Sequence, residues 1–72
     1  MDTIIRIGMR IRALRLEAGL TRAALAKQVR VPEAVVADME AGKREPGIDL
    51  LENVTFALGK RLGDFAEAKS PR

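Results

Sequence analysis

The chain holds 72 residues, room for a single domain that buries only ~60% of the surface its unfolded form exposes. It has no cysteine, histidine or tyrosine, which excludes disulfides, thiolate and imidazole catalysis and the usual zinc sites. The net charge of +3 is unevenly spread: seven basic side chains against Asp2 and Glu17 in residues 1–30, then Glu33, Asp38 and Glu40 with no cation in residues 31–42.

Glycine and proline divide the chain into short stretches with helical periodicity. No two-residue alternation is long enough for a strand, so the predicted class is all-α. The first helix is expected from Thr3 to Ala18, with Asp2 or Thr3 as N-cap and Gly19 as stop. Ile4, Ile7, Ile11, Leu14 and Ala18 share one side of it at the spacing of a buried stripe. On the other side Ile5, Met9 and Leu16 fall within about 40° of one another. Thr21 reads as the N-cap of a second helix reaching Gln28, with Leu25, Ala26 and Val29 turned inward. Pro32 suits the first turn of a third helix, where its missing N–H costs nothing, and Gly42 ends that helix. A loop over 43–47 leads to a fourth apolar period from Ile48 to Leu58, stopped by Gly59. A last short turn brings Leu62 and Phe65 to the core, and residues 68–72 fray. Residues 1–67 thus form one domain, with no repeat or linker.

No apolar run approaches the roughly 18 residues of a membrane helix, and no signal-peptide pattern opens the chain, so a cytoplasmic protein with no membrane partner is expected. Carboxylates spread over separate helices make no nucleophile–base constellation, so neither an enzyme nor a cofactor or metal is expected. The basic first half points to an anionic partner, nucleic acid being the usual one, although solvated surface charge is the plainer account. Phe56 and Phe65 are the only aromatics, too few for a surface that stacks on single strands.

The segments 21–28 and 32–41, joined by a few residues, have helix-turn-helix spacing, the turn lying within about residues 21–41. With them stand Ile7-Gly8, Ile11-Arg12, Leu14-Arg15, Gly19-Leu20-Thr21, Leu25-Ala26, the run Met39-Glu40-Ala41-Gly42-Lys43-Arg44-Glu45-Pro46, Leu51 and Leu58-Gly59. In order and spacing these residues resemble the Xre family, the Cro- and lambda-repressor-like DNA-binding domains, over about residues 7–65. The resemblance implies a compact five-helix, phage-repressor-like fold that docks its second and third helices on double-stranded DNA and regulates transcription, commonly as a homodimer. It implies an ion pair between Arg15 and Glu40 that ties the first helix to the end of the third. It places phosphate contacts at the start of the second helix and in the loop after the third, at Thr21, Arg22, Lys43 and Arg44. Backbone N–H groups and nearby cations there suit phosphate oxygens, while the plainer reading is a cap with solvated charges. Arg30 stands where the family usually has its turn glycine, at a cost of roughly 1 kcal/mol if φ is positive. There it reaches a phosphate, or the turn is differently shaped.

The third helix departs from that pattern. By position its base-reading residues are Glu33, Ala34, Val35 and Asp38, yet from Val31 to Gly42 there is no arginine, lysine, asparagine, glutamine, serine or threonine. Cation-to-guanine and amide-to-adenine contacts are therefore excluded, leaving carboxylates for cytosine and apolar contact with thymine methyls. The sequence accordingly carries a second reading, in which this acidic helix binds another protein and the domain serves as an antiactivator or accessory regulator. Ile5, Met9 and Leu16, with Phe56, offer an apolar surface for a homodimer or for that protein partner.

Overall fold

The computed structural model describes residues 3–60. Among the described residues the chain forms four helices: α1 (Thr3–Glu17), α2 (Arg22–Val29), α3 (Glu33–Glu40) and α4 (Ile48–Ala57). The expected count was five; the final turn with Leu62 and Phe65, the 68–72 tail and the Asp2 cap lie outside the described residues. No helix among the described residues is long and apolar enough to cross a membrane.

Each helix contributes an apolar side to one core. Ile11 of α1, Leu25 of α2, Val36 and Met39 of α3 and Val54 of α4 are its fully buried members. α3 is the hub against which α1 and α2 pack, and α2 also packs against α4. The stripe of α1 is shorter than periodicity predicts. The helix ends at Glu17, so Ala18 belongs to the turn and is exposed, while Leu20 packs against the core from beyond it. Gly8 sets the approach of α1 to α3: a Cβ there would collide with the Met39 carbonyl oxygen and sit 3.1 Å from that of Glu40. A glycine at this point brings the backbone of α1 directly onto the end of α3.

All four helices close in the same way. The N–H groups of the two residues after the last turn fold back onto carbonyls three and five residues earlier, as in Gly19→Leu16 and Leu20→Arg15, Gly42→Met39 and Lys43→Asp38, and Gly59→Phe56 and Lys60→Thr55. The first residue of each pair is left-handed, with φ of 74°, 75° and 73° at these glycines. At the end of α2 the same cap is made by Arg30, with φ 61° and bonds Arg30→Lys27 and Val31→Ala26. The helix starts are less alike. Thr21 caps α2 by accepting the Ala24 N–H at 3.0 Å. Pro32, expected inside the first turn of α3, is the extended residue ahead of it, and gives α3 no side-chain cap.

Candidate nucleic-acid interface

The start of α2 and the end of α3 lie side by side, joined by a carboxylate held between two arginines. Arg15 grips Glu40 with both ends of its guanidinium, Nε donating to Oε2 at 2.6 Å and Nη2 to Oε1 at 3.1 Å. Its remaining terminal nitrogen donates to the Leu20 carbonyl oxygen at 2.9 Å. The side chains of Arg15 and Glu40 are 7% and 4% exposed, so this pair is buried, bidentate and tied to the turn after α1. Hydrogen bonding to Glu40 raises the pKa of Arg15 above its ordinary value, against the opposing effect of burial. Arg22, the first residue of α2, donates from Nε to Glu40 Oε1 at 3.3 Å while its side chain stays 47% exposed.

Lys43 and Arg44, both exposed, follow Glu40 within a single turn, and the Lys43 N–H closes α3 by bonding the Asp38 carbonyl at 2.9 Å. Thr21 and Arg22 thus stand where α2 begins, tied to the end of α3 through Glu40, and Lys43 and Arg44 follow in the chain just after that end. Arg30 stands at the other end of α2, about 12 Å along the helix axis from Arg22. The structure therefore brings together four of the five residues expected to contact phosphates and sets the fifth apart, at the turn leading to Glu33.

α3 presents the four residues expected to read bases unequally. Val36 and Met39 point inward, so Val35, one step from Met39 around the helix, is half-buried against the core. Glu33 and Ala34 are exposed and Asp38 is half-buried. Ala37 is half-buried as well, and Ala41, just beyond the helix, is exposed beside Ala34 on the side opposite the core. The outward surface of α3 is a shelf of alanines edged by carboxylates.

A family model described as a helix-turn-helix domain matches residues 6–67. The chain belongs to the helix-turn-helix family. Within it the similarity is to Xre-type, Cro-like regulators, and the order of helices agrees with that. An immunity repressor of Bacillus phage phi105 is 38% identical over 53 residues, covering 74% of this chain. The same match covers only 37% of the repressor, so the chain spans little more than a third of that relative. The crystal structure of the clp gene regulator ClgR from Corynebacterium glutamicum superposes with a TM-score of 0.85 at 30% identity, over 88% of this chain and 81% of that one. The restriction-modification controller protein C.AhdI from Aeromonas hydrophila shares the fold, with a TM-score of 0.81 at 24% identity over 85% of this chain and 92% of its own.

In this helix-turn-helix domain a short turn joins α2 to α3, and α1 packs against α3. The apolar residues expected to form one partner surface have different neighbours in the fold. Ile5, 49% exposed, lies beside Gly42, and Met9 and Leu16 continue along the outer side of α1. Phe56, 84% exposed, borders an open groove with Gln28, Val29 and Arg30 of α2 and its end, and Asn53 and Ala57 of α4. Among the described residues no three acidic side chains gather as metal ligands would.

Proposed function

We propose that this helix-turn-helix domain binds double-stranded DNA as a transcriptional regulator, resting the start of α2 and the loop after α3 on the phosphate backbone and turning the outer side of α3 toward the groove. The observation that carries the reading is the corner shared by Thr21, Arg22, Lys43 and Arg44, where a capped helix start and three exposed cations meet. Backbone N–H groups and cations so placed suit phosphate oxygens. The names of its relatives, a phage repressor and a gene regulator, support the same conclusion. Ala34 or Val35 fits a thymine methyl group, and Glu33 or Asp38 a cytosine amine. Arg30 adds a phosphate contact at the far end of α2. Two half-sites are read by a homodimer, formed either through Ile5, Met9 and Leu16 or through Phe56.

Fluorescence anisotropy with labelled duplex DNA from the chain's own upstream region tests this directly. Four cationic phosphate contacts per protomer, from Arg22, Arg30, Lys43 and Arg44, predict a slope of about −3.6 in log affinity against log salt, and twice that for a dimer. Unchanged anisotropy at low salt would reject the reading. Light scattering on Leu16→Glu and Phe56→Glu assigns the dimer surface, since only one of them should yield monomers.

One observation favours a second reading. Helix α3 presents Glu33 and Asp38 and carries no cation or amide side chain of its own, and carboxylates near phosphates are repelled. In that reading α3 docks on a basic surface of another protein, and the domain modulates that partner. Charge reversal at Glu33 and Asp38 separates the two. It abolishes a protein complex, whereas it strengthens binding to DNA.

A further inference from the structure

We propose that Glu40, beyond bracing α1 against α3, is a positioning residue for Arg22, holding that guanidinium so that its two terminal nitrogens are presented to a DNA phosphate. The proposal rests on the DNA-binding reading and deepens it. A chain of fixed groups leads to Arg22. The Leu20 carbonyl accepts from Arg15 at 2.9 Å, Arg15 grips both oxygens of Glu40, and Glu40 Oε1 accepts from Arg22 Nε at 3.3 Å. The carboxylate is 4% exposed and clamped in a bidentate pair, so it cannot swing to follow a mobile arginine. Arg22 must come to it.

Charge and geometry then act together. Arg15 already neutralises Glu40, which leaves the positive charge of Arg22 uncompensated at a surface where its side chain is 47% exposed. Among the described residues only Nε of Arg22 has a partner, and the donors on the terminal nitrogens are left for a ligand. A guanidinium is planar, so anchoring Nε restricts the plane in which those donors lie. The side-chain entropy otherwise lost on gripping a phosphate is in part already spent during folding. A lysine at the same position carries the charge but not the fork.

The test compares wild type, Arg22→Lys and Arg22→Ala on a mixed-sequence DNA duplex, because a phosphate contact weakens all sequences alike. Arg22→Lys should keep the melting temperature and the salt slope, and lose about tenfold in affinity. Arg22→Ala should lose affinity and also reduce the salt slope by about one. In wild type, NMR should show an Arg22 Nε–H protected from exchange in the free protein and still protected with DNA bound. Equal affinity of Arg22→Lys and wild type overturns the positioning role while leaving DNA binding intact. So does an Arg22 Nε–H that exchanges at the solvent rate. Failure of the wild type itself to bind duplex DNA at low salt overturns the DNA reading, and this proposal with it.

Discussion

The two ends of the helix-turn-helix are built to different standards. At the corner where α2 starts and α3 ends, Thr21 caps one helix, a glycine cap closes the other, and Glu40 joins both to α1 through Arg15 and Arg22. The turn between the helices is shaped by backbone bonds, Arg30→Lys27 and Val31→Ala26, without side-chain ties: α3 starts from Pro32 without a side-chain cap, and α2 stops on an arginine in a conformation that favours glycine. The tied corner holds the candidate phosphate contacts in register, as a site on rigid elements requires. The untied turn carries the residues that would enter the groove first, Glu33 and Ala34. Side-chain ties are concentrated where the backbone of DNA would be gripped, and backbone bonds shape the turn ahead of the residues that would read bases.

The comparison predicts a ranking of mutational effects. Glu40→Ala should be the most damaging, because it leaves the Arg15 guanidinium buried with no carboxylate, at ~3–5 kcal/mol. For a domain this small that approaches its whole stability, so circular dichroism should show a largely unfolded chain at room temperature. Glu33→Ala, at the opposite end of the same helix and exposed, should move the denaturation midpoint by less than about 0.5 kcal/mol. Equal effects at the two positions would erase the distinction between the two ends.

Gly8→Ala comes next, at about 3 kcal/mol. The added methyl meets the Met39 carbonyl oxygen, and backbone at a helix crossing cannot turn aside as a side chain can. Urea denaturation checks it, and a loss below about 0.5 kcal/mol would mean that α1 does not lie so close to α3. Thr21→Ala should cost about 1 kcal/mol through the lost bond to the Ala24 N–H, with Thr21→Ser recovering most of it.

What could be read from sequence follows the range of the interactions involved. Helix periods, the Thr21 cap and the glycine stops depend on neighbours a few residues away, and the helices lie within a residue or two of where those signals put them. The Arg15–Glu40 pair spans 25 residues and was implied only by family resemblance. The bond from Arg22 to the same carboxylate, 18 residues away, was not foreseen, since it depends on how closely α2 lies beside α3 and how far a side chain reaches. On α3 the expected contacts Glu33 and Ala34 are exposed, whereas Val35 and Asp38 are half-buried, and Val35 leans on the core because Val36 and Met39 face inward. Ile5 and Phe56 are alike in composition, but they belong to helices that pack on different parts of the motif, so no single patch follows from their shared hydrophobicity.

The only predicted gain in stability is the most informative about the turn. Arg30→Gly should stabilise the domain, which is unusual for a substitution that removes a whole side chain. Holding a residue with a Cβ at φ 61° costs about 1–2 kcal/mol, and glycine returns about 0.5–1 kcal/mol of that as greater freedom in the unfolded chain. The net gain is about 0.5–1 kcal/mol, readable as a rise of several degrees in melting temperature. The other three helix ends already use glycine in this same cap, so the backbone bonds Arg30→Lys27 and Val31→Ala26 should survive the change. If Arg30 also touches a phosphate, the stabilised variant should bind duplex DNA more weakly, with a salt slope lower by about one. Stability and affinity would then move in opposite directions at a single position, the signature of a strained residue kept for its side chain. A gain in stability with unchanged affinity would restrict the phosphate contacts to the tied corner, and a loss of stability would show that the arginine side chain more than offsets the strain of its own backbone.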